Sequence, residues 1–168
     1  GINKLLERAL PEGEKTDENI LRMRSVFIPY YDEHNADLTV PYEGVPELLV
    51  RLQNDDVQLA VASNKYQAAT EKLVGHFFPN INFVKVLGQR SDVPIKPDPA
   101  IVTDILKVAG VGQDAVLYVG DSGVDMLTAL NAQVDAVGVT WGFRPKLELS
   151  TFPSLGLIDK AEELLNYI

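Results

Sequence analysis

The stretch YVGDSGVDM, residues 118–126, sets two aspartates four residues apart, where a hydrophobic run gives way to a helical one. Ser122-Gly123-Val124-Asp125 fits a capping box, in which Ser122 caps the helix and Asp125 bonds back to the Ser122 amide. Asp121 is harder to explain as structure, because a carboxylate at the end of a buried strand needs a cation or several donors to offset its desolvation. Mg²⁺ would supply that charge, being a hard cation held by one or two protein carboxylates together with water and substrate phosphate. Asp125 stays open between a helix cap and a neighbour of the metal.

Three more residues could act with them. Ser63 and Asn64 follow the apolar run VQLAVA (57–62), where a hydroxyl and free amides at a helix start make either an ordinary N-cap or an anion site. Asn64 and Gln67 have the spacing of a capping pair. Lys96 lies in VPIKPDPA: Pro97 favours an extended Lys96, and Asp98-Pro99 reads as an N-cap with proline opening the helix. A lone lysine is ordinarily a solvated surface charge; one mounted stiffly at a sheet edge suits neutralising a transferring phosphoryl group. Thr140 follows the last clear strand, while His34 and His76 have no ligand-spaced partner and read as structural.

The elements that would position these groups are legible from periodicity. Residues 2–34 read as helices only, with Thr16 capping a helix from Asp17 to His34. From 45 onward helix and strand alternate. VPELLVRLQN, QAATEKLVGHF, PAIVTDILKVAG and VDMLTALNA read as helices, and VQLAVA, FVKVLG, AVLYVG and VDAVGVT as strands. Strands alternating with helices of about ten residues imply parallel βαβ units, with a sheet covered on both faces and ligands at the carboxyl ends of the strands. The fold class is therefore α/β and Rossmann-like. Residues 144–157 are the least regular, and IDKAEELLNY closes the chain as a helix.

Composition narrows the function. With 168 residues the chain fits one ordinary domain with a small appendage. Fifteen basic against twenty-four acidic residues, a net charge of −9, disfavour nucleic acid and anionic membranes as partners. The absence of cysteine leaves oxygen atoms as metal ligands and fits a cytoplasmic enzyme. No apolar run approaches the roughly 20 residues of a membrane helix.

The ordered set Ser63-Asn64-Lys65, Lys96 in KPDP and GDSGVDM resembles the second, third and fourth signature motifs of the haloacid dehalogenase superfamily of phosphohydrolases. PYEGVPELLVRL and VGVTWGF are most similar to its phosphoglycolate phosphatase branch. The resemblance implies residues 1–38 as part of a helical cap and 39–168 as the α/β core. It implies that Ser63 binds the phosphoryl oxygens with Asn64 shaping its loop, and that Lys96 offsets phosphate charge and holds the nucleophile. It also implies that Asp121 binds Mg²⁺ directly, with Asp125 in the first or second layer around the metal. The substrate would be a small phosphorylated metabolite, phosphoglycolate first among them, and a homodimer is compatible with the pattern.

One departure is large. The family's first motif, a strand followed by Asp-x-Asp-Gly-Thr, supplies the nucleophile and the acid/base aspartate, and it occurs nowhere in these 168 residues. The motif belongs upstream of the cap, so a missing N-terminal segment is the expected account. The chain by itself is then expected to be inactive, because the reaction runs through an aspartyl-phosphate. It is also expected to be poorly stable, with sheet edges exposed where a central strand should pair. Three alternatives are a pyrophosphatase or phosphomutase of the same chemistry, a phosphate-accepting receiver domain, and a non-catalytic phosphate-binding module. A receiver would place its acidic residues before the hydroxyl and lysine, whereas Asp121 follows them.

Overall fold

The structure, a computed structural model, describes residues 2–168. The chain opens with helices α1 (Ile2–Ala9) and α2 (Asp17–His34), which pack against each other. The Thr16 hydroxyl accepts from the Asn19 amide at 3.2 Å, and Asp17 and Glu18 stand at the positive end of the helix dipole, so α2 begins where its sequence places the cap.

The α/β part follows as α3 (Val45–Asn54), β1 (Leu59–Tyr66), α4 (Gln67–Phe77), β2 (Phe83–Gln89), α5 (Ala100–Ala109), β3 (Leu117–Gly120), α6 (Gly123–Ala132), β4 (Asp135–Val139), α7 (Lys146–Leu149) and β5 (Gly156–Ile158). Every pairing is parallel. The strands form two sheets, β1-β2 and β3-β4-β5, where alternation along the chain suggests one. Two elements differ from expectation. The irregular stretch 144–157 contains α7 and leads into a fifth strand, and the closing helix is a 3₁₀ turn from Ala161 to Tyr167.

Strand burial reflects the pairing. In β4, partnered on both sides, Ala136, Val137, Gly138 and Val139 are all buried. In β1 no residue is fully buried, and Val119 of β3 is 41% exposed. Two apolar clusters sit on this framework. One joins Ile101 and Val102 of α5 to Met126 and Ala129 of α6, and the other joins Leu52 of α3 to Val137, Val139 and Ile158. Between the facing edges of β1 and β3 runs a cleft of about 790 Å³ lined mainly by aliphatic side chains. Among the described residues no helix is long and apolar enough to cross a membrane.

Candidate active site

Lys96 lies in the loop before α5, and its backbone is clamped from β1. The Asn64 amide donates to the Lys96 carbonyl at 3.1 Å, and the Lys96 N–H donates to Asn64 Oδ1 at 2.9 Å. On the other side Asp98 Oδ1 accepts from the Ala100 amide at 2.9 Å, but the N-cap position of α5 falls on Pro99, one residue later than the sequence suggests, so Asp98 turns the chain into the helix rather than capping it.

The Lys96 ammonium donates to the Ala62 carbonyl at 2.8 Å, to Asp125 Oδ1 at 2.7 Å and to the Tyr118 hydroxyl at 3.2 Å, so its three hydrogens have three acceptors. The two side chains of the Lys96–Asp125 pair are only 9% and 10% exposed. Burial pushes the Asp125 carboxyl up, but the Lys96 charge and hydrogen bond, with the hydrogen bonds of the Ser122 and Tyr118 hydroxyls, outweigh it and hold Asp125 below the usual carboxylate range. Burial, then the Asp125 charge and hydrogen bond, pushes the Tyr118 hydroxyl up, so Tyr118 is neutral over the physiological range.

Two local expectations need correction. Ser63 and Asn64 do not cap α4. The chain stays extended to Tyr66, which occupies the N-cap position, while Ser63 Oγ accepts from the Lys65 amide at 3.0 Å and Asn64 is engaged with Lys96. Gln67 does not reach back to Asn64 but bridges to β2, accepting from the Gly88 amide at 2.6 Å. The cause is a bulge: Ala62 pairs with Leu87 and Tyr66 with Gln89, so three residues of β1 stand opposite Gly88 alone. A Cβ on Gly88 would lie 2.5 Å from the Lys65 carbonyl oxygen, so only glycine fits beneath the bulge. Ser122 does cap α6, accepting from the Asp125 amide at 3.4 Å, but Asp125 takes the Ser122 hydroxyl at 2.5 Å rather than its amide. The nearby lysine is the stronger partner for the remaining oxygen.

Ser63, Asn64 and Lys96 line one small pocket together with Arg90. Arg90 binds Asp104 at 2.7 Å, and its buried Nε has no hydrogen-bond partner. Asp121 stands beyond the end of β3. Its Oδ2 accepts from the Phe143 amide at 3.1 Å, and Gly142 packs so closely on the carboxylate that a Cβ there would collide with it. Thr140 is turned elsewhere, its hydroxyl donating to Asp159 at 2.5 Å, with the Ile158 carbonyl at 3.2 Å as the alternative acceptor.

The donor set suits a hard cation at Asp121. One carboxylate oxygen is fixed by backbone, and the other has no hydrogen bond among the described residues. No cluster of three or more His, Cys, Asp or Glu able to hold a metal occurs among the described residues. Mg²⁺ does not require one, because it retains water and takes phosphate oxygens. Asp125 is engaged on both oxygens, by Lys96 and Tyr118 on one and by Ser122 on the other.

Two groups carry no sequence signal that points to a site. Tyr118 reads as a core aromatic, since only its hydroxyl reaches Lys96 and Asp125. The link from α2 to the end of β1, with Lys65 bonded to Tyr31 and Tyr66 to Asp32, depends on contacts 34 residues apart. Arg90 could have been found, because it lies directly after β2 on the carboxyl edge where ligands are expected.

Known proteins bear on this geometry. A family model described as haloacid dehalogenase-like hydrolase matches residues 2–139. The chain is 30% identical to phosphoglycolate phosphatase of Mesorhizobium japonicum over 86% of its own length and 66% of that protein's. It is 29% identical to phosphoglycolate phosphatase of Psychrobacter arcticus, over 100% and 76% of the two lengths. A crystal structure from Lactobacillus delbrueckii subsp. bulgaricus, also bearing the phosphoglycolate phosphatase name, superposes with a TM-score of 0.86 at 37% identity, over 95% of this chain and 66% of that one. The chain thus spans about two thirds to three quarters of the length of these three proteins.

Proposed function

The chain belongs to the haloacid dehalogenase-like hydrolase family, and from that membership we propose that it forms the phosphoryl-transfer core of an Mg²⁺-dependent phosphomonoester hydrolase. The observation that carries the reading is the buried Lys96, fixed by Asn64 along its backbone and by Ala62, Asp125 and Tyr118 at its ammonium. Such a preorganised cation stabilises charge on a transferring phosphoryl group without reorganising during the reaction. The phosphate would enter the pocket shared by Ser63, Asn64 and Lys96, where the Ser63 hydroxyl and the bulge amides can bind its oxygens. Asp121 would hold Mg²⁺, with Asp125 beside it, and the bound cation would supply further charge neutralisation at the phosphate.

Phosphoglycolate is the substrate proposed first, because the relatives named above carry that activity in their names. Residues 1–38 would act as part of a cap that shields the site from bulk water, with Tyr31 and Asp32 fastening α2 to the end of β1. The proposed reaction passes through an aspartyl-phosphate. Since no Asp-x-Asp-Gly-Thr occurs in the 168 residues, the chain by itself is proposed to be inactive. The absence of cysteine fits a cytoplasmic protein, the net charge of −9 opposes binding to nucleic acid or anionic membranes, and a homodimer is the oligomeric state proposed.

The test is phosphate release from a panel of small phosphomonoesters, with and without Mg²⁺, by the chain supplied with a strand bearing the first motif. Phosphoglycolate should be the best substrate, and Asp121→Ala should abolish release. Equal activity in that variant would refute the metal assignment, and turnover of pyrophosphate alone would refute the substrate class.

A further inference from the structure

We infer that Lys65 is a second anion-binding group of the site, which reads the carboxylate of a small substrate that carries one close to its phosphate. The placing of the phosphate rests on the proposed function; the role of Lys65 rests on how charge is balanced along the carboxyl edge.

On the segments that follow β2 and β4, each cation in an ion pair has an acid of its own. Arg90 has Asp104 at 2.7 Å, Lys96 has Asp125 at 2.7 Å, Lys146 has Asp159 at 3.1 Å and Arg144 has Glu148 at 4.0 Å. Lys65, at the end of β1, has no carboxylate within 4.0 Å among the described residues. Lys160 beyond β5 also lacks one, but it is exposed to solvent, whereas Lys65 is half-buried. The Lys65 ammonium donates to the Tyr31 hydroxyl and lies 4.5 Å from the centre of the Tyr31 ring, so a hydroxyl and a ring face stand where the paired cations have a carboxylate. Asp32, next to Tyr31, is engaged elsewhere: its carboxylate accepts from the Tyr66 hydroxyl and its carbonyl from the Lys72 ammonium. The joint between α2 and β1 therefore gathers two ammoniums and one carboxylate, in a chain whose net charge is −9.

Position completes the argument. Ser63 lines the pocket with Asn64 and Lys96, and its hydroxyl accepts from the Lys65 amide at 3.0 Å, while the Lys65 carbonyl accepts from the Thr70 hydroxyl at 3.1 Å. The Lys65 backbone is thus held beside the pocket, and a flexible stem carries the ammonium. An ammonium has three hydrogens, so after Tyr31 two are left for the two oxygens of a carboxylate. Hydrogen bonds between charged partners are roughly twice as strong as those between neutral ones, so a carboxylate outcompetes the Tyr31 hydroxyl. Arg90 and Lys96 could take the same carboxylate only by giving up Asp104 and Asp125.

The experiment titrates the full 168-residue chain, in Mg²⁺, with phosphoglycolate and with ethyl phosphate, which is of similar size but has no carboxylate, and reads binding by calorimetry. Phosphoglycolate should bind about tenfold or more tightly than ethyl phosphate, the difference expected of one hydrogen-bonded charge pair. Lys65→Met should erase that preference and leave ethyl phosphate binding unchanged, and Lys65→Arg should retain a preference. Tyr31→Phe separates this role from simple fastening of α2. It removes the competing acceptor, so phosphoglycolate should bind as tightly as to the parent chain or more tightly; if Lys65 only holds α2, Tyr31→Phe and Lys65→Met should instead weaken both ligands alike, which would overturn the inference. Equal binding of the two ligands by the parent chain, or binding of neither, would overturn it as well. A preference that Lys65→Met abolishes, without phosphate release once a strand bearing the first motif is supplied, would count against the proposed function and leave the carboxylate site standing. Release from phosphoglycolate with the same KM in parent and Lys65→Met chains would do the reverse.

Discussion

The carboxyl edge of the strands and the cleft behind it are built to different standards. At the edge, Lys96, Asp125, Ser122 and Asn64 bond to one another or to nearby backbone, and the Tyr118 hydroxyl joins them. Beside it β1 and β3, each paired on one side only, flank an apolar cleft. The polar chemistry is thus preorganised by short-range contacts, whereas the backbone layer beneath it is open. The polar contacts around Lys96 are thus complete while the two sheets stay unjoined.

The comparison breaks most severely if the polar edge can be dismantled cheaply. Lys96→Met would leave the Asp125 carboxylate buried without its cation, and should cost about 3–5 kcal/mol in urea unfolding. A loss under about 1 kcal/mol would mean that the edge is not a cooperative unit. Met126→Ala, at a side chain with 0% exposure in the well-formed cluster, should cost about 2–5 kcal/mol. Tyr118→Phe removes a hydroxyl that reaches both Lys96 and Asp125 at long range, and should cost about 1 kcal/mol by the same measurement. Val119→Thr, on the open cleft edge, should stay within about 0.5 kcal/mol, and a larger effect would show that the edge is packed after all.

A pH scan sharpens the same contrast. The Asp125 carboxyl in the folded chain lies below its ordinary 3.8, so its contribution is fully present above that value and is lost as pH falls through the folded-state value. Unfolding midpoints at pH 7 and pH 3 should therefore differ more for the parent chain than for Asp125→Asn.

Much of this was legible in the residues. Apolar runs marked four of the five strands, and Thr16, Asp98 and Ser122 each cap or turn the chain where short polar side chains precede a helical period. The neighbourhood of Lys96 and Asp125 was expected only through family resemblance, because the two residues lie 29 apart and no local rule pairs them. β5 escaped notice because three residues, Gly156–Ile158, are too short for a period to register. The Ser63 bulge escaped because register depends on β2, which lies elsewhere in the chain. The division into two sheets is a property of pairing between distant segments, about which local alternation is silent.

The most direct test of the account is phosphate release from phosphoglycolate in Mg²⁺ by the 168-residue chain, first alone and then supplied with a strand bearing the first motif, Asp-x-Asp-Gly-Thr. The account predicts no release above the blank from the chain alone, and Mg²⁺-dependent release once the strand is bound. Turnover by the chain alone would contradict it, since the chemistry would then proceed without the residue that the proposed mechanism requires.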